Sequence, residues 1–168
     1  LIRLRDLLYG LMLRSGNDAA VAIAEYISGD VDSFAALMNQ EAAAMGATRS
    51  HFVNPNGLPD ENHYTCVYDM YLIFSNAVKN DTFVSIIGTT SYDVTYTDAS
   101  GEAVTHTWEN TNQYLTGNAT TPDGFQIVGG KTGTTGEAGY CLVLYSYNPS
   151  GQPIISIVFK ADGKFNLY

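Results

Sequence analysis

Two short segments carry side chains able to do chemistry. The run Gly129-Gly130-Lys131-Thr132-Gly133-Thr134-Thr135-Gly136 surrounds one lysine with glycines and threonine hydroxyls. Small residues let another backbone approach closely, while Lys131 and the hydroxyls of Thr132 and Thr134 offer a cation and donors to a carboxylate. The run reads as an anion-reading strand edge; the plainer reading is a Gly-rich turn with an exposed lysine. A phosphate-binding loop fits poorly. Its Gly-x-x-x-x-Gly frame needs glycine where Phe125 stands, and Gly133-Thr134-Thr135-Gly136 is a weak start for the helix that must follow. The second segment is Ser15-Gly16-Asn17, where a hydroxyl and an amide can project together into a cleft. Its plain reading is helix capping by Asn17. The same spacing recurs at Ser146-Tyr147-Asn148 inside an expected strand, so the segment draws its weight from the Lys-Thr-Gly that follows it more than a hundred residues later.

The elements that must position these segments follow from periodicity. Leu4, Leu7, Leu8, Leu11 and Met12 line one face of a helix that stops near Ser15-Gly16. A second helix, capped by Asn17 or Asp18, runs through Tyr26. A third buries Phe34, Leu37, Met38, Ala42 and Met45, with Gly46 where a left-handed residue is wanted. The stretch Asn54-Pro55-Asn56-Gly57-Leu58-Pro59-Asp60 is loop chemistry, and another helix follows over roughly 67–78. The period then changes to two. Tyr92, Val94 and Tyr96, a turn at Asp98-Ala99-Ser100-Gly101, and Val104, His106 and Trp108 spell a hairpin. Residues 126–132, 139–147 and 153–161 read as three strands, the last two apolar enough to be buried on both faces. The expected class is α+β, with a helical lobe over about 1–88 and a hairpin and antiparallel sheet lobe over about 89–168.

Composition narrows the function classes. At 168 residues, 45% of them hydrophobic, the chain has material for one core-bearing domain. Eight Lys and Arg stand against 17 Asp and Glu, a net charge of −9 that disfavours nucleic acid and anionic membranes as partners. The uncharged run from Ala138 to Phe159 is interrupted by Asn148-Pro149-Ser150-Gly151-Gln152-Pro153, a turn, so it is not a membrane span. Cys66 and Cys141 match no metal spacing and read as two buried free thiols. His51, His63 and His106 are scattered, and Asp60-Glu61-Asn62-His63 reads as a solvated loop, so no metal or other cofactor is expected. There is no Gly-x-Ser-x-Gly elbow.

Taken together, Ser-x-Asn in a helix–helix loop and Lys-Thr-Gly on a later strand are two of three signatures of penicilloyl-serine enzymes. The chain resembles the serine D-alanyl-D-alanine carboxypeptidases of the peptidase S11 family, the low-molecular-weight penicillin-binding proteins. The resemblance runs through Arg5-Asp6-Leu7-Leu8-Tyr9-Gly10-Leu11, Ser15-Gly16-Asn17-Asp18-Ala19-Ala20, the 54–60 loop, Tyr68-Asp69-Met70, and Gly130-Lys131-Thr132-Gly133-Thr134-Thr135-Gly136. It implies a β-lactamase/transpeptidase-like fold. It also implies that Ser15 and Asn17 contact the substrate peptide and assist proton transfer, and that Lys131, Thr132 and Gly133 pair with its backbone and bind its terminal carboxylate. The Thr134 N–H is then one donor of the oxyanion hole. The implied ligands are a peptidoglycan stem peptide ending in D-Ala-D-Ala and β-lactam antibiotics, met outside the bacterial cytoplasmic membrane.

The family's nucleophile lies in a Ser-x-x-Lys motif, and no such spacing occurs in these 168 residues. The expectation is therefore a fragment, truncated at both ends and unable to form an acyl-enzyme alone, that self-associates through the surface truncation exposes. Two alternatives use the same residues: a noncatalytic peptide- or cell-wall-binding module, and a β-lactamase-type hydrolase of the same superfamily.

Overall fold

The structure, a computed structural model, describes residues 2–168. Five helices come first: α1 (Leu4–Arg14), α2 (Asn17–Ser28), α3 (Val31–Ala44), α4 (Val67–Ala77) and α5 (Asp81–Ile87). A hairpin of β1 (Ser91–Thr97) and β2 (Ala103–Glu109) forms its own two-stranded sheet. A three-stranded antiparallel sheet of β3 (Gln126–Thr135), β4 (Gly139–Tyr147) and β5 (Pro153–Ala161) follows in that order, and a short 3₁₀ turn, Lys164–Leu167, comes last. No described helix is long and apolar enough to cross a membrane.

The middle strand organises the packing. Successive side chains of a strand point to opposite faces. On β4, Val143 faces one way onto Phe74 of α4 and Ile87 of α5. Leu142 and Leu144 face the other way onto Leu167 of the 3₁₀ turn, with Tyr114 and Ile127 against them. A separate cluster of Tyr9, Leu13 and Ile86 joins α1 to α5 and to the hairpin residues Tyr92 and Trp108. There α1 and the hairpin come very close: the rings of Tyr9 and Tyr92 stack with centroids 3.7 Å apart, and a Cβ on Gly10 would sit 3.1 Å from the Trp108 ring. Asp6, fully buried at this junction, accepts hydrogen bonds from Arg3 Nε at 2.8 Å and the Tyr92 hydroxyl at 2.6 Å. The bond from the Arg3 guanidinium holds its carboxyl below the usual carboxylate range against the opposing pull of desolvation.

The hairpin, its turn and the strand ranges 139–147 and 153–161 lie where alternation placed them, and Gly46 adopts φ +84° as expected. Several expectations are corrected. Asn17 does not cap α2; Gly16 is the N-cap residue, with no side-chain cap, and Asn17 is the first helical residue. Of the stripe expected on α3 only Ala42 is fully buried, while Phe34, Leu37, Met38 and Met45 are half-buried, Met38 lining an open cleft. The strand β5 is not buried on both faces: it is an edge of its sheet and its residues are half-buried or exposed. Cys66 and Cys141 are free, but half-buried rather than buried. The helix α5 had no periodic signal at seven residues. Its start is marked instead by Asn80, whose Oδ1 accepts from the N–H groups of Thr82 at 2.9 Å and Phe83 at 3.2 Å.

Candidate active site

The reversal between α1 and α2 sets the first half of the site. Ser15 ends α1 with φ 55° and ψ 41°, a left-handed conformation that costs a side-chain-bearing residue roughly 1–2 kcal/mol and that glycine would adopt freely. Its N–H donates to the Leu11 carbonyl at 3.0 Å and the Gly16 N–H to that of Gly10 at 3.2 Å, so the last carbonyls of α1 are satisfied while the chain turns. The turn leaves the Ser15 and Asn17 side chains exposed one after the other, and among the described residues no hydrogen bond ties down the Asn17 amide.

The strand β3 sets the second half. Its register slips between Ile127 and Gly129, and beyond the slip Gly130 to Thr135 pair in order with Leu144 to Gly139. Gly129 and Gly130 are the tight points. A Cβ on Gly129 would stand 2.6 Å from Ile87 backbone and one on Gly130 would stand 2.3 Å from the Val143 carbonyl oxygen. The backbones that these glycines admit are therefore the protein's own. Gly133 differs: its nearest neighbour would be Cys141 Cβ at 3.8 Å, which leaves that side of the strand open.

The two halves meet at Lys131. Its ammonium donates to Ser15 Oγ and, at 2.6 Å, to the Thr132 carbonyl. Among the described residues the single ion pair is Arg3–Asp6, so Lys131 has no carboxylate partner. Burial without a counter-charge pushes its pKa down to about 8. An ammonium has three donors, and two are used. What remains is a half-buried cation, fixed in place, with a free N–H and no anion.

Two clefts flank this contact, of about 570 and 530 Å³. Ser15, Thr132, Gly133 and Thr134 line both. The larger adds Asn17, Lys131, the apolar Met38 and Met70, and the loop from Asn54 to Leu58. That loop is braced by Asn54, whose Oδ1 accepts from the Gly57 N–H at 2.7 Å. The first turn of α4, which carries Met70, is tied to the chain before the loop by its buried Asp69, which accepts from the Arg49 N–H at 2.6 Å and the Ser50 hydroxyl at 2.8 Å. The smaller cleft adds the cations Arg14 and Lys164, together with Glu109 and Thr111. All six residues singled out in the sequence thus border one connected site: Ser15, Asn17, Lys131, Thr132, Gly133 and Thr134. Sequence reasoning did not single out Thr111, which touches Thr132. Its signal was an asparagine on each side, Asn110 and Asn112, at the exit of a strand. Among the described residues no three His, Cys, Asp or Glu side chains gather as a metal site.

The chain is similar to known proteins in sequence and in fold. Residues 1–163 match the family D-alanyl-D-alanine carboxypeptidase, peptidase S11. The chain is 36% identical over 159 residues to the D-alanyl-D-alanine carboxypeptidase DacF of Bacillus subtilis, covering 94% of this chain and 38% of that protein. It is also 36% identical over 167 residues to the D-alanyl-D-alanine carboxypeptidase of Streptomyces sp. strain K15, covering 95% and 55%. The crystal structure of the Streptomyces K15 DD-transpeptidase superposes with a TM-score of 0.84 at 34% identity, over 95% of this chain and 61% of that one. The D-alanyl-D-alanine carboxypeptidase structure from Mycobacterium tuberculosis H37Rv does so with 0.80 at 28%, over 97% and 58%. The chain spans about four- to six-tenths of the length of these relatives. A match over nearly its whole length, in sequence and in fold, makes it a member of the peptidase S11 family of D-alanyl-D-alanine carboxypeptidases.

Proposed function

We propose that these 168 residues form the carboxylate-reading part of a serine D-alanyl-D-alanine carboxypeptidase, which trims the terminal D-Ala from peptidoglycan stem peptides outside the cytoplasmic membrane. The observation that carries this reading is Lys131: a half-buried ammonium, anchored by Ser15, with a donor to spare and no carboxylate beside it. A peptide's free C-terminal carboxylate supplies the missing anion, and the hydroxyls of Thr132 and Thr134 supply further donors. Gly133, with open space over it, lets the peptide backbone lie along β3.

The chemistry is acyl transfer. A Ser-x-x-Lys pair from outside these residues enters the cleft beside Ser15 and Lys131, and its serine oxygen attacks the carbonyl carbon of the penultimate D-Ala. The Thr134 N–H stabilises the developing oxyanion. The C–N bond to the last D-Ala breaks, and the serine's proton passes to the departing amine through the amine of the incoming lysine and the Ser15 hydroxyl, with Asn17 contacting the peptide. Water then hydrolyses the ester and frees the serine. A β-lactam acylates the same serine, because its strained amide presents a carbonyl and a carboxylate at similar separation. Joining the chain to a family segment that bears Ser-x-x-Lys tests this reading. Covalent labelling by fluorescent penicillin and release of D-Ala from a pentapeptide are expected, both lost in Lys131→Ala. A folded fusion that does neither overturns it.

A further inference from the structure

One contact reaches the site from outside the Ser-x-Asn and Lys-Thr-Gly segments. The Oγ1 atoms of Thr111 and Thr132 lie 2.5 Å apart. Thr111 sits in Asn110-Thr111-Asn112, where the chain leaves β2, and buried asparagines hold it from both sides. The Asn110 amide nitrogen donates to the Thr89 carbonyl at 2.9 Å, and its backbone N–H donates to the Thr90 carbonyl at 2.8 Å. Asn110 Oδ1 accepts from the Asn112 N–H at 2.9 Å, and Asn112 Oδ1 accepts from the Tyr114 N–H at 3.1 Å. With the backbone tied at each flank, the hydroxyl of Thr111 is held against Thr132 rather than released to water.

The proton count gives the contact a direction. A hydroxyl has one proton to give and two lone pairs. In the pair alone, either oxygen can donate. A carboxylate only accepts, so Thr132 can bond to one only by spending its own proton on it. That leaves Thr132 Oγ1 as an acceptor, and Thr111 is the donor beside it. We propose that Thr111 is a positioning residue: it donates to Thr132 Oγ1 and so turns the Thr132 proton toward the carboxylate of a bound peptide. The chain Thr111 to Thr132 to carboxylate polarises along its length, each bond strengthening the next. This rests on the reading that the cleft takes a C-terminal carboxylate.

Calorimetric titration of the 168-residue chain with a short peptide ending in D-Ala-D-Ala tests it, using the free acid and the C-terminal carboxamide side by side. Thr111→Val keeps the shape and removes the hydroxyl, Thr111→Ala removes it without the branched methyls, and Thr111→Ser keeps it. The expected result is affinity for the acid reduced about tenfold in both hydroxyl-less variants. The carboxamide should be affected less, and the serine variant should recover the original affinity. Adding Thr111→Val to Thr132→Val should cost nothing further, because both act through one bond. Equal affinity in T111V, T111A and the unmodified chain, or equal losses for acid and carboxamide, overturns the role of Thr111 while leaving Lys131-dependent binding intact. No binding by the unmodified, folded chain overturns the carboxylate reading itself and the role of Thr111 with it.

Discussion

Lys131 concentrates the physical tension of the site. Burial without a counter-ion disfavours the charged amine, and its pKa falls from 10.5 to about 8. In the unfolded chain the lysine keeps its ordinary value, so between these two pH values the unfolded state binds more protons. Stability therefore rises with pH across that window, and below it the buried charge is a standing cost. Ligand binding has the opposite sign. A carboxylate favours the ammonium form, so affinity for a D-Ala-D-Ala peptide is expected to be level below about pH 8 and to fall by up to tenfold per unit above it. Titrations at steps from about pH 6 to about pH 10 check this, with Lys131→Met as the variant that should lose the slope. Affinity that climbs with pH contradicts the assignment. The lysine and its threonines were legible as residue types in the sequence. Their environment was not, because what shifts Lys131 is the shape of a cleft built by α1, α3 and a distant loop.

At the scale of the element, β3 carries two tightly packed glycines and an open one. Gly129 and Gly130 press against the end of α5 and against β4, with no room for a methyl group; Gly133 has room. Gly130→Ala is expected to destabilise the chain by about 1–3 kcal/mol, the usual cost of forcing atoms into a packed interior. Gly133→Ala should stay within about 0.5 kcal/mol of the original and should instead weaken peptide binding, since its methyl would occupy the face along which the proposed peptide lies. Urea midpoints and peptide titrations separate the two effects. Equal destabilisation by both would show that the strand has no such division. The sequence announced a Gly-rich strand edge but not which glycine served which purpose, because the backbone that meets Gly129 comes from Ile87 and Gly88, far upstream. The helix that carries them, α5, is too short for periodicity to reveal. Asn17 shows the converse: read locally it is a capping residue, yet the turn at left-handed Ser15 makes Gly16 the cap and leaves the amide exposed at the cleft.

Across the whole molecule, the helical half is packed against the hairpin and the sheet through two hydrophobic clusters. The hairpin is locked to α1 by the Tyr9–Tyr92 stack and the buried Asp6, and β4 holds helices on one face and the 3₁₀ turn on the other. The order of elements and the α+β class were legible because hydrophobic period changes once, from helical to alternating, near residue 90. Edge and centre were not, since the apolar run of β5 reads the same whether or not another layer covers it. The outcome is a chain of net charge −9 whose site gathers Arg14, Lys131 and Lys164 around two connected clefts. An acidic body with a small cationic recess suits the proposed ligand, which carries one negative end, better than a polyanion. The most direct measurement compares a D-Ala-D-Ala peptide as free acid with its carboxamide, by calorimetry on the unmodified chain and on Lys131→Ala. The account predicts saturable one-to-one binding of the acid, much weaker binding of the carboxamide, and no distinction between them once Lys131 is gone. Indifference of the unmodified chain to the carboxylate would contradict it.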